Sequence, residues 1–242
     1  MDWDGGAAGG GGAGAEELIA GLIDVVLARE RSPSVVSEME TDQHWERVYQ
    51  SRATTEVSWY RAHLERSLEW IRRVAAPPLP EILDVGAGAS TLVDDLLSAG
   101  YTHLTVLDIA KSALEISRLR LGTRAAQVNW LTGNVLDVAL PARHFDIWHD
   151  RAVFHFLTAA ADRQRYVAQM ATALRPGGHA LIATFGSEGP LRCSGLEVVR
   201  YDATSLSKEL GEEFTLVDWT IETHQTPAGT TQQFLYALFE AA

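Results

Sequence analysis

From residue 81 onward the apolar positions of this 242-residue chain alternate between two rhythms. Short apolar runs of strand length at 81–85, 103–107, 128–131, 145–149 and 179–185 are separated by segments with helical spacing at 91–99, 111–121 and 163–174. Strands apolar on both faces and joined by helices predict a parallel, doubly wound sheet with helices on either side. Pro176-Gly177-Gly178 is expected to stop the last of these helices. The end of the chain breaks the rhythm. Strand-like runs at 214–223 and 232–239 are joined by Gln225-Thr226-Pro227-Ala228-Gly229-Thr230, which predicts a hairpin rather than a helical crossover.

Ahead of this pattern the chain reads as two further stretches. Residues 5–14 are only glycine and alanine and cannot bury enough surface to order themselves. At 15–30, Leu18, Leu22, Val25 and Val26 fall near helical spacing with Glu16 and Glu17 at the amino end, a helix suited to docking on a partner or on a second copy. Residues 31–41, with Ser32-Pro33-Ser34, read as a linker, so 1–41 is an extension and 42–242 the catalytic-type domain. Within the latter, 44–50 and 61–74 are expected helices, stopped by Pro77, Pro78 and Pro80.

Charge and composition narrow the function classes. A formal net charge of −12 opposes a general nucleic-acid binder and an anionic membrane surface. Much of that charge belongs to the extension, where Asp2, Asp4, Glu16, Glu17, Asp24, Glu30, Glu38 and Glu40 face only Arg29 and Arg31. The argument against a nucleic-acid acceptor then rests on the lack of a basic stripe near Asp150 and Phe185. No apolar run is long enough to span a bilayer, and Asp24 interrupts the one near the amino end, so a cytoplasmic protein is expected. The single cysteine, Cys193, cannot form an internal disulfide or a cysteine-rich zinc site, and the histidines show no ligand spacing, so no metal is expected.

The chemistry gathers where the first strand meets the first helix of the alternating region. In Asp84-Val85-Gly86-Ala87-Gly88-Ala89-Ser90-Thr91 the two glycines let the backbone turn sharply and approach a ligand without a Cβ in the way. Asp108 ends the second strand, where a carboxylate accepts hydrogen bonds from both hydroxyls of a ribose. An adenosine-containing ligand follows. Three features oppose NAD: Thr91 stands where a third glycine or alanine belongs, Asp84 would repel a pyrophosphate, and a closing hairpin is foreign to the dinucleotide plan. A sulfonium compound with an ammonium group is instead attracted by Asp84.

With Leu83-Asp84-Val85-Gly86-Ala87-Gly88, Val106-Leu107-Asp108, Gly133-Asn134-Val135, Phe145-Asp146-Ile147-Trp148-His149-Asp150 and Leu174-Arg175-Pro176-Gly177-Gly178, the chain resembles the class I S-adenosylmethionine-dependent methyltransferases over about 42–242. The resemblance implies a Rossmann-like α/β three-layer sandwich whose seven-stranded sheet has an antiparallel last strand. It implies that Gly86 and Gly88 pack against the methionine end of S-adenosylmethionine, that Asp108 takes the ribose, that Ile109 lies beside the adenine, and that Asn134 with Val135 meets the adenine edge. Asparagine stands at 134 where the family usually has aspartate. Trp45-Glu46-Arg47-Val48-Tyr49 followed by Glu56-Val57-Ser58-Trp59-Tyr60 is similar to the lysine-methyltransferase-like and small bacterial relatives. In them the segment matching 42–76 covers the cofactor, which would set Trp45, Tyr49 and Trp59 beside the sulfonium.

Acceptor residues belong at the carboxyl ends of the fourth and fifth strands. There Asp150 is a candidate to orient the acceptor or the cofactor ammonium, and His155 a candidate base or a residue satisfied by local hydrogen bonds. The expected function is methyl transfer to a nitrogen, oxygen or sulfur of a small molecule or protein side chain. The alternative is a non-catalytic cofactor-binding or interaction protein acting through its acidic amino-terminal helix.

Overall fold

The computed structural model describes residue 1 and residues 33–242, with side chains described at residue 1 and from Thr41 onward. The expected helix at 15–30, with the docking or self-association role given to it, lies outside the described residues. The chain divides into two units, Met1–Thr41 and Asp42–Ala242, and the sheet belongs to the second.

Helix α1, Pro33–Ser51, runs through most of the stretch expected to be a linker. Proline suits a first helical position because its missing N–H has no helical partner to lose and its φ is already helical. Helix α2, Glu65–Val74, starts later than its apolar pattern suggests. The Ala62 carbonyl accepts a hydrogen bond from the Thr91 hydroxyl (2.8 Å) instead of from a helical amide.

Strands β1 (Ile82–Val85), β2 (Leu104–Asp108), β3 (Val128–Thr132), β4 (Phe145–Arg151) and β5 (Leu174–Phe185) alternate with α3 (Leu92–Ser98), α4 (Lys111–Leu121) and α5 (Ala160–Ala173). The Pro176-Gly177-Gly178 turn lies within β5, after the helix has already ended at Ala173. A small hairpin, β6 (Arg192–Cys193) with β7 (Leu196–Glu197), and helix α6 (Ala203–Leu210) follow. The carboxylate of Asp202 accepts from the Ser205 amide (2.7 Å) while the Ser205 hydroxyl accepts from the Asp202 amide (3.0 Å), a reciprocal cap that starts α6. Strands β8 (Phe214–Gln225) and β9 (Thr231–Ala241) form the expected hairpin.

The seven strands lie in the order β3-β2-β1-β4-β5-β9-β8, with β9 antiparallel to both of its neighbours. This is the expected sheet. Alternation along the strands feeds two cores. On β9, Phe234, Tyr236 and Leu238 join α2, α3 and α4 on one face, while Leu235, Ala237 and Phe239 join α5 and α6 on the other. On β1, Ile82 faces the first core and Leu83 and Val85 the second, which turns Asp84 toward α2. The parallel strands end together at Val85, Asp108, Thr132 and Arg151, on either side of the point where strand order reverses.

Candidate active site

The turn after β1 is built from two residues that only glycine serves well. Gly86 and Gly88 have φ of +58° and +56°, and both are closely covered. A Cβ on Gly86 would collide with the methyl of Val153, and one on Gly88 with the hydroxyl of Tyr49. The Gly88 amide donates to Asp108 Oδ2 (2.7 Å) and the Ala110 amide to Asp108 Oδ1 (2.7 Å), so one carboxylate ties the glycine turn to the end of β2. Burial pushes the Asp108 carboxyl up to about 6, against the pull of these two amides, with the charges of Asp84 and Glu46 adding to the rise.

Asp84 lies below this turn, buried on the α2 side of β1. Its Oδ1 is 2.6 Å from His149 Nδ1 on β4, its direct neighbour in the sheet, and His149 Nε2 is 2.9 Å from the Ser67 hydroxyl on α2. All three side chains are buried. The second oxygen, Asp84 Oδ2, is buried with no hydrogen-bond partner. A buried carboxylate oxygen left without a donor fits a ligand that brings an ammonium.

Aromatic residues cover the turn. The rings of Trp45 and Trp59 meet edge to face at 5.8 Å, Tyr49 and Trp59 at 6.5 Å, and Trp45 and Phe156 at 5.1 Å. Of these rings, Tyr49 reaches the glycine turn, with its hydroxyl against Gly88. On the other side of Asp108, its backbone carbonyl accepts from the Gly133 amide (3.0 Å), which brings Asn134 and Val135 beside Ile109. Asn134 Oδ1 accepts from the Leu136 amide (3.0 Å), and Val135 is buried in the second core.

Asp150 and His155 sit at the expected strand end but are turned inward. Asp150 is fully buried, and its carboxylate accepts from the amides of Val153 (2.9 Å) and Phe154 (3.0 Å) and from the Tyr166 hydroxyl (2.5 Å). Its oxygens are spent on holding the turn that sets Val153 against Gly86. Burial raises its carboxyl to about 6 despite those donors. His155 is also fully buried, and its Nδ1 accepts from the Phe185 amide (3.2 Å). Burial, and secondly the charge of Arg151, push its imidazole down to about 3. An imidazole held that low stays neutral and is a feeble proton acceptor near pH 7.

Sequence reasoning missed Ser67, His149 and Arg151. His149 was within reach of it, since β1 and β4 adjoin at the switch point of a doubly wound sheet and a polar residue in a buried strand needs a partner there. Among the described residues no cluster of three or more His, Cys, Asp or Glu is arranged to hold a metal ion, and no helix is long and apolar enough to cross a membrane.

Residues 82–178 match the model of a methyltransferase domain. The segment spans the glycine turn, Asp108, Asn134 and the turn after β4. The comparisons support a class I S-adenosylmethionine-dependent methyltransferase. S-adenosylmethionine is its cofactor, and it is an enzyme of methyl transfer. The chain is 23% identical over 193 residues to the EEF1A lysine methyltransferase 2 of Mus musculus, covering 74% of this chain and 76% of that protein. It is 22% identical over 199 residues to the eEF1A lysine and N-terminal methyltransferase of Mus musculus, 80% of this chain but only 26% of that longer protein. Its fold is shared with the 1,6-didemethyltoxoflavin-N1-methyltransferase of Burkholderia thailandensis, whose structure holds 1,6-didemethyltoxoflavin and S-adenosylhomocysteine. The TM-score is 0.58 at 20% identity, over 97% of this chain and 93% of that one.

Proposed function

We propose that this methyltransferase works in the cytoplasm on a nucleophilic nitrogen, oxygen or sulfur of a small molecule or protein side chain, with its donor held across the glycine turn. The observation that carries the site is Asp84 Oδ2, buried and without a donor two residues before Gly86. When bound, S-adenosylmethionine supplies an electrophilic methyl group on a positively charged sulfur.

The chain's own residues then divide the work. Asp84, steadied by His149, takes the ammonium of the methionine end, and Gly86 and Gly88 let that end approach the backbone. Asp108 receives the ribose hydroxyls, since each carboxylate oxygen keeps a lone pair after accepting its amide. Ile109, Asn134 and Val135 border the adenine. Trp45, Tyr49 and Trp59 exclude water and present ring faces to the cation. Asp150 acts by bracing the turn after β4. The neutral His155 braces the start of the segment after β5, so the acceptor enters with a lone pair already available and releases its proton to solvent. Alignment for in-line displacement is then the main catalytic contribution. Relatedness to methyltransferases favours this reading over a purely cofactor-binding or interaction role, and residues 15–30 are left as a docking element for a partner or a second copy.

Calorimetric titration with S-adenosylmethionine tests the site. Wild type is expected to bind and Asp108→Ala to lose that binding; equal binding by both, or none by wild type, overturns the assignment.

A further inference from the structure

Arg151 closes β4 at the edge of the same site, and three contacts hold its guanidinium still. Nε donates to the Tyr236 hydroxyl (3.0 Å), Nη1 donates to the Trp59 carbonyl (3.0 Å), and the group lies 4.6 Å over the Phe234 ring. Nη2 is buried and has no partner. Among the described residues no carboxylate pairs with Arg151. The other cation beside it, Arg61, is answered by Glu222 (2.5 Å) and Glu65 (3.6 Å).

Arg151 lines a small solvent-open pocket beside the glycine turn. Its walls include Tyr49, Trp59, Tyr60, Ala89 and Ser90, and no acidic side chain lines it. The positive charge is felt nearby: after burial, Arg151 is among the causes that hold His155 and His224 below the usual imidazole range. A fixed guanidinium with a dry, unused nitrogen is arranged for an anion, and carboxylate is the group whose geometry it matches.

We propose that the methyl acceptor is a small ring-bearing acid whose carboxylate docks on Arg151 Nη2, with its body against Trp59 and Tyr60. The inference rests on the cofactor site proposed above and deepens it by naming the acceptor class. It also works against a lysine ammonium, which would meet an uncompensated positive charge and no carboxylate in this pocket.

The test uses the full chain loaded with S-adenosylhomocysteine and benzoate as the probe, followed by calorimetry and tryptophan fluorescence. Wild type is expected to bind benzoate at least about tenfold more tightly than benzamide. Arg151→Gln is expected to bind S-adenosylhomocysteine as wild type does and benzoate about tenfold less tightly, with Arg151→Lys recovering part of the loss. Absence of benzoate binding by the loaded wild type at about 10 mM, or equal binding of benzoate and benzamide, overturns the proposal. So does an Arg151→Gln protein that melts like wild type but has lost S-adenosylhomocysteine, because the anion is then the cofactor's own carboxylate. Failure of wild type to bind S-adenosylhomocysteine at all removes the underlying cofactor site instead, and the acceptor assignment with it.

Discussion

Asp84→Asn separates a cofactor-binding carboxylate from a merely structural one. The substitution keeps the shape and keeps an oxygen to accept from His149 Nδ1, 2.6 Å away, so the link through His149 to Ser67 survives. What changes is the second position, Oδ2, buried and unpartnered, which becomes an amide NH2 where the ammonium should sit. A hydrogen bond to a charged group contributes about 1.5–3 kcal/mol, so S-adenosylhomocysteine should bind about 10- to 150-fold less tightly. The assay is calorimetric titration of both proteins with S-adenosylhomocysteine and with 5′-methylthioadenosine, which has no ammonium. The second ligand should bind both proteins alike. If Asp84→Asn holds S-adenosylhomocysteine within about threefold of wild type, the unpartnered oxygen does not meet the ammonium and the orientation assigned to the methionine end is wrong.

Gly88→Ala should cost about 2–4 kcal/mol, part from left-handed backbone at +56° and part from overlap with Tyr49, and Tyr49→Ala should remove the second part. A urea double-mutant cycle reads the coupling, and additivity within about 0.5 kcal/mol would refute the contact. Asp150→Ala strands the Val153 and Phe154 amides and the buried Tyr166 hydroxyl and should destabilise by about 3 kcal/mol; a loss under about 1 kcal/mol would mean that the carboxylate does not brace the turn. His155 binds its proton less readily folded, at about 3, than unfolded, so its contribution is complete above about pH 6.5 and is lost progressively as pH falls toward 3. Between pH 6.5 and 5 wild type should lose about 2 kcal/mol more than His155→Gln, and parallel stability profiles would show that the imidazole is not buried neutral. Asp108 and Asp150 act in the opposite sense, since carboxyls raised to about 6 favour the folded state as pH falls from 6 toward 3.8.

What the sequence discloses and what it hides divide along one physical line. The sheet was readable because its strands are short runs apolar on both faces, as 234–239 is, where Phe234, Tyr236 and Leu238 fill one core and Leu235, Ala237 and Phe239 the other. The glycine turn was readable because Gly86 and Gly88 fall between a strand and a helix, where a positive φ is needed. Only the 44–50 part of α1 is legible, because Ser32-Pro33-Ser34 reads as a linker, although proline at a first helical position favours a helix. The site's polar residues follow no repeat. Asp150 and His155 were traced to the correct strand end, but nothing in their spacing says that three donors would capture the carboxylate or that the ring would turn into the core. Conversely, Arg151 stood next to Asp150 in the chain, yet its significance is the lack of a counter-charge, which depends on what every neighbouring element does not supply. Asp84 combines the two cases. Its position before the turn gave its charge a purpose from sequence, while only the register of β1 against β4 shows that His149 occupies one oxygen and leaves the other for a ligand.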